Sequence, residues 1–578
     1  MPEPHESSAE PSLARRIEEL TRAYVAVPSH TGTALERGVE PFLRGWFESV
    51  PHFQDHPGHC GFHPIPGDPL GRSVAWALVR GADRPGERTI VLIHPSATAD
   101  VQDYGELRPL AYDPGALRAR MAGPGQGPFD AGVRADLESG DWLFGRGVCD
   151  MKGGGAIELA LLERYAASGA CPGNLLLLAL PDEENLSAGM RAAVPLLAAL
   201  KARFALDYRL MINTEPHMRT DPGTGVLYEG SVGKIMPLVY VKGQAAHVGQ
   251  VFGGFNPILL LAEIVRRTEL NPEFMDRVGA ESTLPPVWLN LKDRKHQYDV
   301  SLPLSAAGYL SIMSLTRSPR EHLELLRRIC EAAFAAVLAW MNRSHEAYAR
   351  NVGREPGPLP WVPEVLTFEQ VQAAALSQDG PSYRAASRDQ LLELERLIAA
   401  GAIDLPEASV VLIELALAHS GIHRPVVVLA LSPPCYPGVS NRQVAARAAG
   451  QAVPPAFLEL AGLAEALRGH ALAAWNQPYR ILEFFDGLSD LSYAIQDGDD
   501  AAMAFTRASM PLWGPIYSIP FEAIRELSLP VLNIGPWGKD FHKNTERVYL
   551  PDLCERTPAL VQEAIRIALA PGGTANRV

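Results

Sequence analysis

Four segments of this 578-residue chain place a carboxylate or an imidazole where a short apolar run gives way to a polar loop. Asp150 lies in Gly145-Arg146-Gly147-Val148-Cys149-Asp150-Met151-Lys152-Gly153-Gly154, where glycine lets the backbone bring a carboxylate close to a cation. Glu183 and Glu184 follow the run 175–180, Glu215 follows 208–212, and His542 follows 530–534. In an open α/β sheet the carboxyl ends of adjacent strands converge, so side chains far apart in sequence meet there. Carboxylates with one imidazole suit a divalent cation. A lone carboxylate after a strand usually caps a helix or faces water, so the chemistry rests on the set.

Other candidates stand outside that set. His94 lies in Ile93-His94-Pro95-Ser96-Ala97-Thr98-Ala99-Asp100, His247 in Gly243-Gln244-Ala245-Ala246-His247, and Asp490 in Asp486-Gly487-Leu488-Ser489-Asp490. His56, His59, Cys60 and His63 have chelating spacings, but the interleaved Pro57, Gly58 and Gly61 read as a surface loop. Arg146, Lys152, Lys234 and Arg547 are cations suited either to a substrate carboxylate or to clamping a carboxylate of the chain.

The elements that position these groups follow from hydrophobic pattern. Over residues 1–230, buried-strand runs alternate with helical segments, the pattern of a mostly parallel sheet covered on both faces. Strands are expected at 89–93, 175–180 and 208–212, and a helix over 156–167 after Gly153-Gly154-Gly155. Near 231 the texture changes: a strand at 237–242, a Gly-rich loop and a helix over 257–268 open a second α/β unit. It is expected to run to 477, with residues 478–578 returning to the first, because His542 must reach Asp150 and Glu184.

A net charge of −14 with no basic run excludes a nucleic-acid surface, and 47% apolar with 20% charged residues describes a globular chain. No apolar run approaches the ~20 residues of a membrane span. The start, Met1 to Glu6, lacks a signal peptide's charged and apolar regions, and six cysteines without a CxxC pair form no disulfide framework. A cytoplasmic protein with no membrane partner is expected.

The series Gly-Arg-Gly-x-x-Asp-Met-Lys-Gly-Gly, Asp-Glu-Glu, Asn-Thr-Glu-Pro and a distant His resembles the aminoacylase and glutamate-carboxypeptidase family of two-zinc amidohydrolases. Residues 298–303 and 432–437 look like its arginine-utilisation RocB branch. The resemblance implies a zinc-peptidase-like α/β domain, a mixed sheet flanked by helices, with an inserted α/β lid or dimerisation domain. It implies Asp150 between two metals, Glu184 and His542 on one, Glu215 on the other, and Glu183 as general base and acid. It assigns His247 to the scissile carbonyl, often across a dimer interface, and Asn256, Asp490 and Arg146 to the substrate site. The implied cofactor is Zn²⁺, one or two per chain, with Co²⁺ or Mn²⁺ as substitutes. The implied substrate is a small N-acyl amino acid, a peptide or an arginine-related metabolite, and the implied partner a second copy held through the lid.

One motif departs from the family. A His-x-Asp pair is expected after the strand at 89–93, but anchoring the register on Asp103-Tyr104-Gly105 puts Pro95 and Ala97 at its two positions. His94, one residue out, is the remaining candidate ligand. The alternative reading is an altered member with an incomplete metal centre that binds a ligand or catalyses a non-hydrolytic reaction.

Overall fold

The computed structural model describes residues 12–81, 87–123, 129–169, 171–295, 297–446, 453–496 and 498–570. The start of the chain, read above for a signal peptide, lies outside them. The strands Arg88–Pro95 and Asn174–Leu180 hold buried runs of Ile, Val and Leu, and Asp207–Asn213 is buried from Leu210 onward, as central strands covered on both faces require. They belong to a mixed eight-stranded sheet in the order Cys60–Pro64, Ser73–Val79, Asn174–Leu180, Arg88–Pro95, Asp207–Asn213, Val531–Asn533, Gly225–Tyr228, Tyr479–Leu482. The third to sixth of these run parallel, so the loops leaving their carboxyl ends open on one edge of the sheet. Those loops carry Pro181 to Glu184, Thr214 with Glu215, and the segment toward His542.

Helices complete the core. Lys152–Ser168 contributes Ile157 and Leu161, and Thr557–Leu569 contributes Leu560, Val561, Ala564 and Ile565, to one cluster with Ile90, Leu92, Leu175 and Leu177. The first of these helices begins before the three glycines and contains them, where the sequence suggested a start after them. The reason is packing: a Cβ at Gly154 would lie 2.4 Å from the Thr214 carbonyl, and one at Gly155 2.6 Å from the His94 ring.

The chain divides into two compact units, the first of residues 1–231, 439–497 and 520–578, the second of 232–438 and 498–519. The expected return at 478 is therefore displaced. Val439–Ser440 pairs with Gly230–Ser231, and the helix Leu463–Trp475 buries Leu463, Ala464, Leu467 and Ala471 in the first core. Residues 498–519 go back to the second unit because the helix Asp500–Ser509 packs on the helix Pro319–Asn351 and the strand Val426–Tyr436. The second unit has a five-stranded sheet in the order Val287–Asp293, Ser305–Ser314, Gly233–Lys242, Val426–Tyr436, Val365–Thr367, antiparallel but for the last pair. Among the described residues no helix is long and apolar enough to cross a membrane.

Candidate metal centre

Asp150, Glu184 and His542 come together within the first unit. Each offers one ligand atom, all within 4.8 Å of one another, and no other group of three such residues does so among the described residues. His542 Nε2 lies 3.1 Å from Asp150 Oδ2 and 2.7 Å from Glu184 Oε1. Ligand atoms ~2.0–2.2 Å from a tetrahedral ion are about 3.3–3.6 Å apart, and these two separations are shorter, as direct hydrogen bonds are. Two carboxylate oxygens and an imidazole nitrogen are the donor types such an ion takes.

The loops that aim these groups are held from behind. The Asp150–Met151 peptide is cis. Glu546, four residues past His542, accepts the amides of Gly147, Cys149 and Asp150 on Oε1 at 2.8, 3.3 and 3.2 Å, so one buried carboxylate ties the Asp150 loop to the His542 loop. Its other oxygen meets Arg146 Nη1 at 2.6 Å. Asp182, Ser187, Asp540 and His542 all have φ between +47° and +73°, a region ordinary side chains seldom occupy and one concentrated at functional sites.

Three further carboxylates crowd the centre. Glu183, Glu215 and Asp490 are 5, 4 and 0% exposed. Burial first, then neighbouring carboxylates, holds Glu183 and Glu215 well above the usual carboxylate range. Asp490 is pushed up to about 7, chiefly by burial. Glu184 is raised too, because burial and Asp150 outweigh His542. Glu215 Oε1 and both Asp490 oxygens have no hydrogen-bond partner among the described residues. A buried acidic cluster with orphaned oxygens fits a cation.

Four candidate residues are placed elsewhere. His94 is wholly buried, with Nδ1 2.8 Å from Glu158 Oε2 and Nε2 3.4 Å from the Tyr24 hydroxyl. It is not a ligand in this arrangement, because successive side chains of a strand face opposite sides and a one-residue offset turns the ring into the core. Arg146 is 1% exposed and its donors are taken by Glu546, Asp103 and the Asp100 carbonyl, so it clamps loops and does not face a substrate. Asn256 caps the helix Pro257–Thr268 through Ile258 N at 3.0 Å. His247, exposed, accepts the Gly249 amide on Nδ1 at 3.1 Å; both belong to the second unit.

Two of the remaining cations are also committed. Lys152 Nζ is buried on the carbonyls of Tyr24 and Val27, and Arg547 binds Asp136 and Asp540. Lys234, in the second unit, is lowered by burial. In the histidine-rich segment the His52, His56 and His59 rings touch, but His52 Nε2 is engaged by the Leu78 carbonyl at 3.2 Å and His59 at 3.3 Å. Sequence reasoning did not reach Glu158, Thr214, Glu36 or Arg72, whose roles depend on distant partners. Glu546 had one local signal, its place in the His542 loop.

Known proteins resemble this chain in family and in fold. The profile of "Peptidase family M20/M25/M40" matches residues 122–531, a span that contains Asp150, Glu183, Glu184 and Glu215 and ends short of His542. Protein YqjN of Bacillus subtilis (strain 168) is 33% identical over 569 residues, 97% of each chain. Protein RocB of the same organism is 30% identical over 555 residues, 95% of this chain and 94% of that one. An M20 family metallo-carboxypeptidase from Sulfolobus solfataricus, Sso-CP2, has a similar fold, with TM-score 0.50 and 9% identity over 96% of this chain and 99% of that one. The profile match and two near full-length relatives place the chain in peptidase family M20/M25/M40, in its RocB-like branch.

Proposed function

We propose that the chain hydrolyses an amide bond in a small N-acyl amino acid, a short peptide or an arginine-related metabolite, with Zn²⁺ as its metal. Membership of the family makes it a metal-dependent hydrolase of peptide or amide bonds. The observation that carries the finer reading is the meeting of Asp150, Glu184 and His542 next to the buried carboxyl of Glu183.

A divalent ion held by those three side chains supplies Lewis acidity to the site. Glu183 is absent from the ligand group, and proton transfer is the role that the reading gives it. Its carboxylate takes a proton from the attacking water and returns it to the leaving amine, and burial raises its proton affinity toward the range such a base needs. Glu215 and Asp490 add two buried carboxyl groups that a neighbouring cation would favour in their charged form. That acidic lining supports a substrate bearing an ammonium or guanidinium group.

The test is release of free amine from a panel of N-acyl amino acids, N-acylarginine and dipeptides by zinc-loaded protein. Turnover that disappears on chelation and in Asp150→Asn is expected; a metal-loaded protein that cleaves none of the panel refutes the reading. For assembly, the edge strand Val287–Asp293 supports pairing with a second copy, since Val287, Leu289 and Leu291 on it are 42, 52 and 49% exposed. Light scattering that gives a monomer mass at all concentrations excludes that pairing.

A further inference from the structure

Glu183 and Glu184 are neighbours with different duties, so the turn that carries them has to hold one orientation. The turn is built on Asp182. Its φ is +73°, and the amides of Asn185, Leu186 and Ser187 all point to its carbonyl, at 3.2, 3.2 and 2.8 Å. Its carboxylate accepts the Ala188 amide at 3.2 Å and the Asn185 side-chain amide at 3.3 Å. None of these local bonds explains what fixes the turn relative to the rest of the unit.

Two residues distant in sequence do so. Glu36 Oε2 accepts the Asp182 amide at 2.9 Å, and Arg72 Nη1 reaches Asp182 Oδ1 at 2.7 Å. The same Nη1 meets Glu36 Oε1 at 2.7 Å, while Arg72 Nη2 meets Asp68 Oδ1 at 2.7 Å. The side chains of Arg72, Glu36, Asp68 and Asp182 are 6, 1, 2 and 0% exposed. One guanidinium therefore joins three buried carboxylates, and its planar fork is what lets it span them; an ammonium is a point charge with no fixed directions.

We propose that Arg72, braced by Glu36 and Asp68, is a positioning residue that sets Glu183 and Glu184 through Asp182. It touches neither metal nor substrate and acts through the turn. The inference rests on the metal-centre reading of Glu184. A residue that only stabilises the fold alters the melting temperature alone. A positioning residue also alters the zinc affinity of folded protein, because Glu184 is a ligand, and lowers kcat with little change in KM, because Glu183 moves off its line to the water.

The experiment compares wild type, Arg72→Lys and Glu36→Gln at a temperature where circular dichroism shows each folded. Zinc affinity is measured by calorimetry and turnover on any substrate the wild type cleaves. Glu36→Gln keeps the shape and an acceptor for the Asp182 amide, so it serves if Arg72→Lys does not fold. Zinc affinity lower by ~10- to 100-fold in a folded variant is expected, the usual effect of losing an outer partner of a ligand, with kcat lower by at least ~10-fold and KM within ~2-fold. Unchanged zinc affinity and kcat in a folded variant overturn the proposal, whatever the melting temperature does. Failure of the wild type itself to bind zinc overturns the metal-centre reading instead, so the two failures are told apart.

Discussion

His94 Nδ1 lies 2.8 Å from Glu158 Oε2, both side chains are wholly buried, and the Thr214 hydroxyl donates to the other oxygen of Glu158 at 3.1 Å. Burial lowers His94 to about 3 and holds Glu158 well above its usual range. Burial thus pushes both groups toward their uncharged forms, with His94 Nδ1 against Glu158 and Nε2 3.4 Å from the Tyr24 hydroxyl. The pair forms a polar core layer behind the metal centre, on the opposite face of the strand Arg88–Pro95 from Pro95.

The first prediction is that His94→Ala leaves the zinc affinity of the Asp150 site unchanged and lowers stability. Truncation opens a cavity and strips a wholly buried carboxyl of a partner, together about 2–4 kcal/mol. Urea denaturation and zinc titration of the same sample check it. Lost zinc affinity with unchanged stability contradicts it.

The second concerns pH. In the metal-free protein, hydrogen bonds to Asp150 and then Glu184 raise His542 from 6.5 to about 11, so its ring is charged at neutral pH. A raised pKa of this kind stabilises the metal-free fold fully below pH 6.5, and that contribution is lost as pH rises toward 11. A metal ligand must be neutral imidazole, so zinc binding expels at least about one proton and tightens about tenfold per pH unit from ~6 to ~8. Calorimetry in buffers of different ionisation heat reads the proton directly. A zinc affinity that is flat across this range refutes the assignment.

The third is that Glu183→Gln keeps zinc content and fold while kcat falls by at least ~10²-fold, since the amide preserves shape but cannot accept the proton. Metal analysis and turnover on one preparation suffice. Equal turnover in the variant places the base elsewhere.

Much of this architecture is legible locally. The helix Pro257–Thr268 matches its expected span because proline in the first turn and an apolar face mark it. The strands before Glu183 and Glu215 are apolar runs bounded by polar residues, so the site carboxylates are found by their position after them. What escapes is whatever depends on partners far along the chain. Glu36, Arg72 and Asp182 share no periodicity or spacing, and only the fold makes them one ion cluster. The crossings near 439, 498 and 520 escape for the same reason: the helix Leu463–Trp475 is amphipathic in either unit, and its partner surface decides which one buries it.

The last prediction is that the metal centre is asymmetric. Asp150, Glu184 and His542 converge as one complete donor set, and among the described residues no second group of three does so. A second ion would draw on Glu215, whose Oε1 is buried without a partner, and on a share of Asp150. The imidazole that the family pattern puts there is missing, because Pro95 and Ala97 occupy its two motif positions and His94 is engaged by Glu158. Oxygen ligands alone hold zinc less well than a mixed set with imidazole, and loss of the orienting aspartate costs a further ~10- to 100-fold. Zinc titration of metal-free protein should therefore show one tight site and one at least ~10-fold weaker, with one zinc per chain surviving dialysis. Installing Pro95→His with Ala97→Asp restores both groups at the strand's end and should raise the weaker affinity while leaving the tighter one alone. Two equal, tight zinc sites in the unaltered chain would refute the asymmetry, because Glu215 would then have found a nitrogen partner that His94 does not provide.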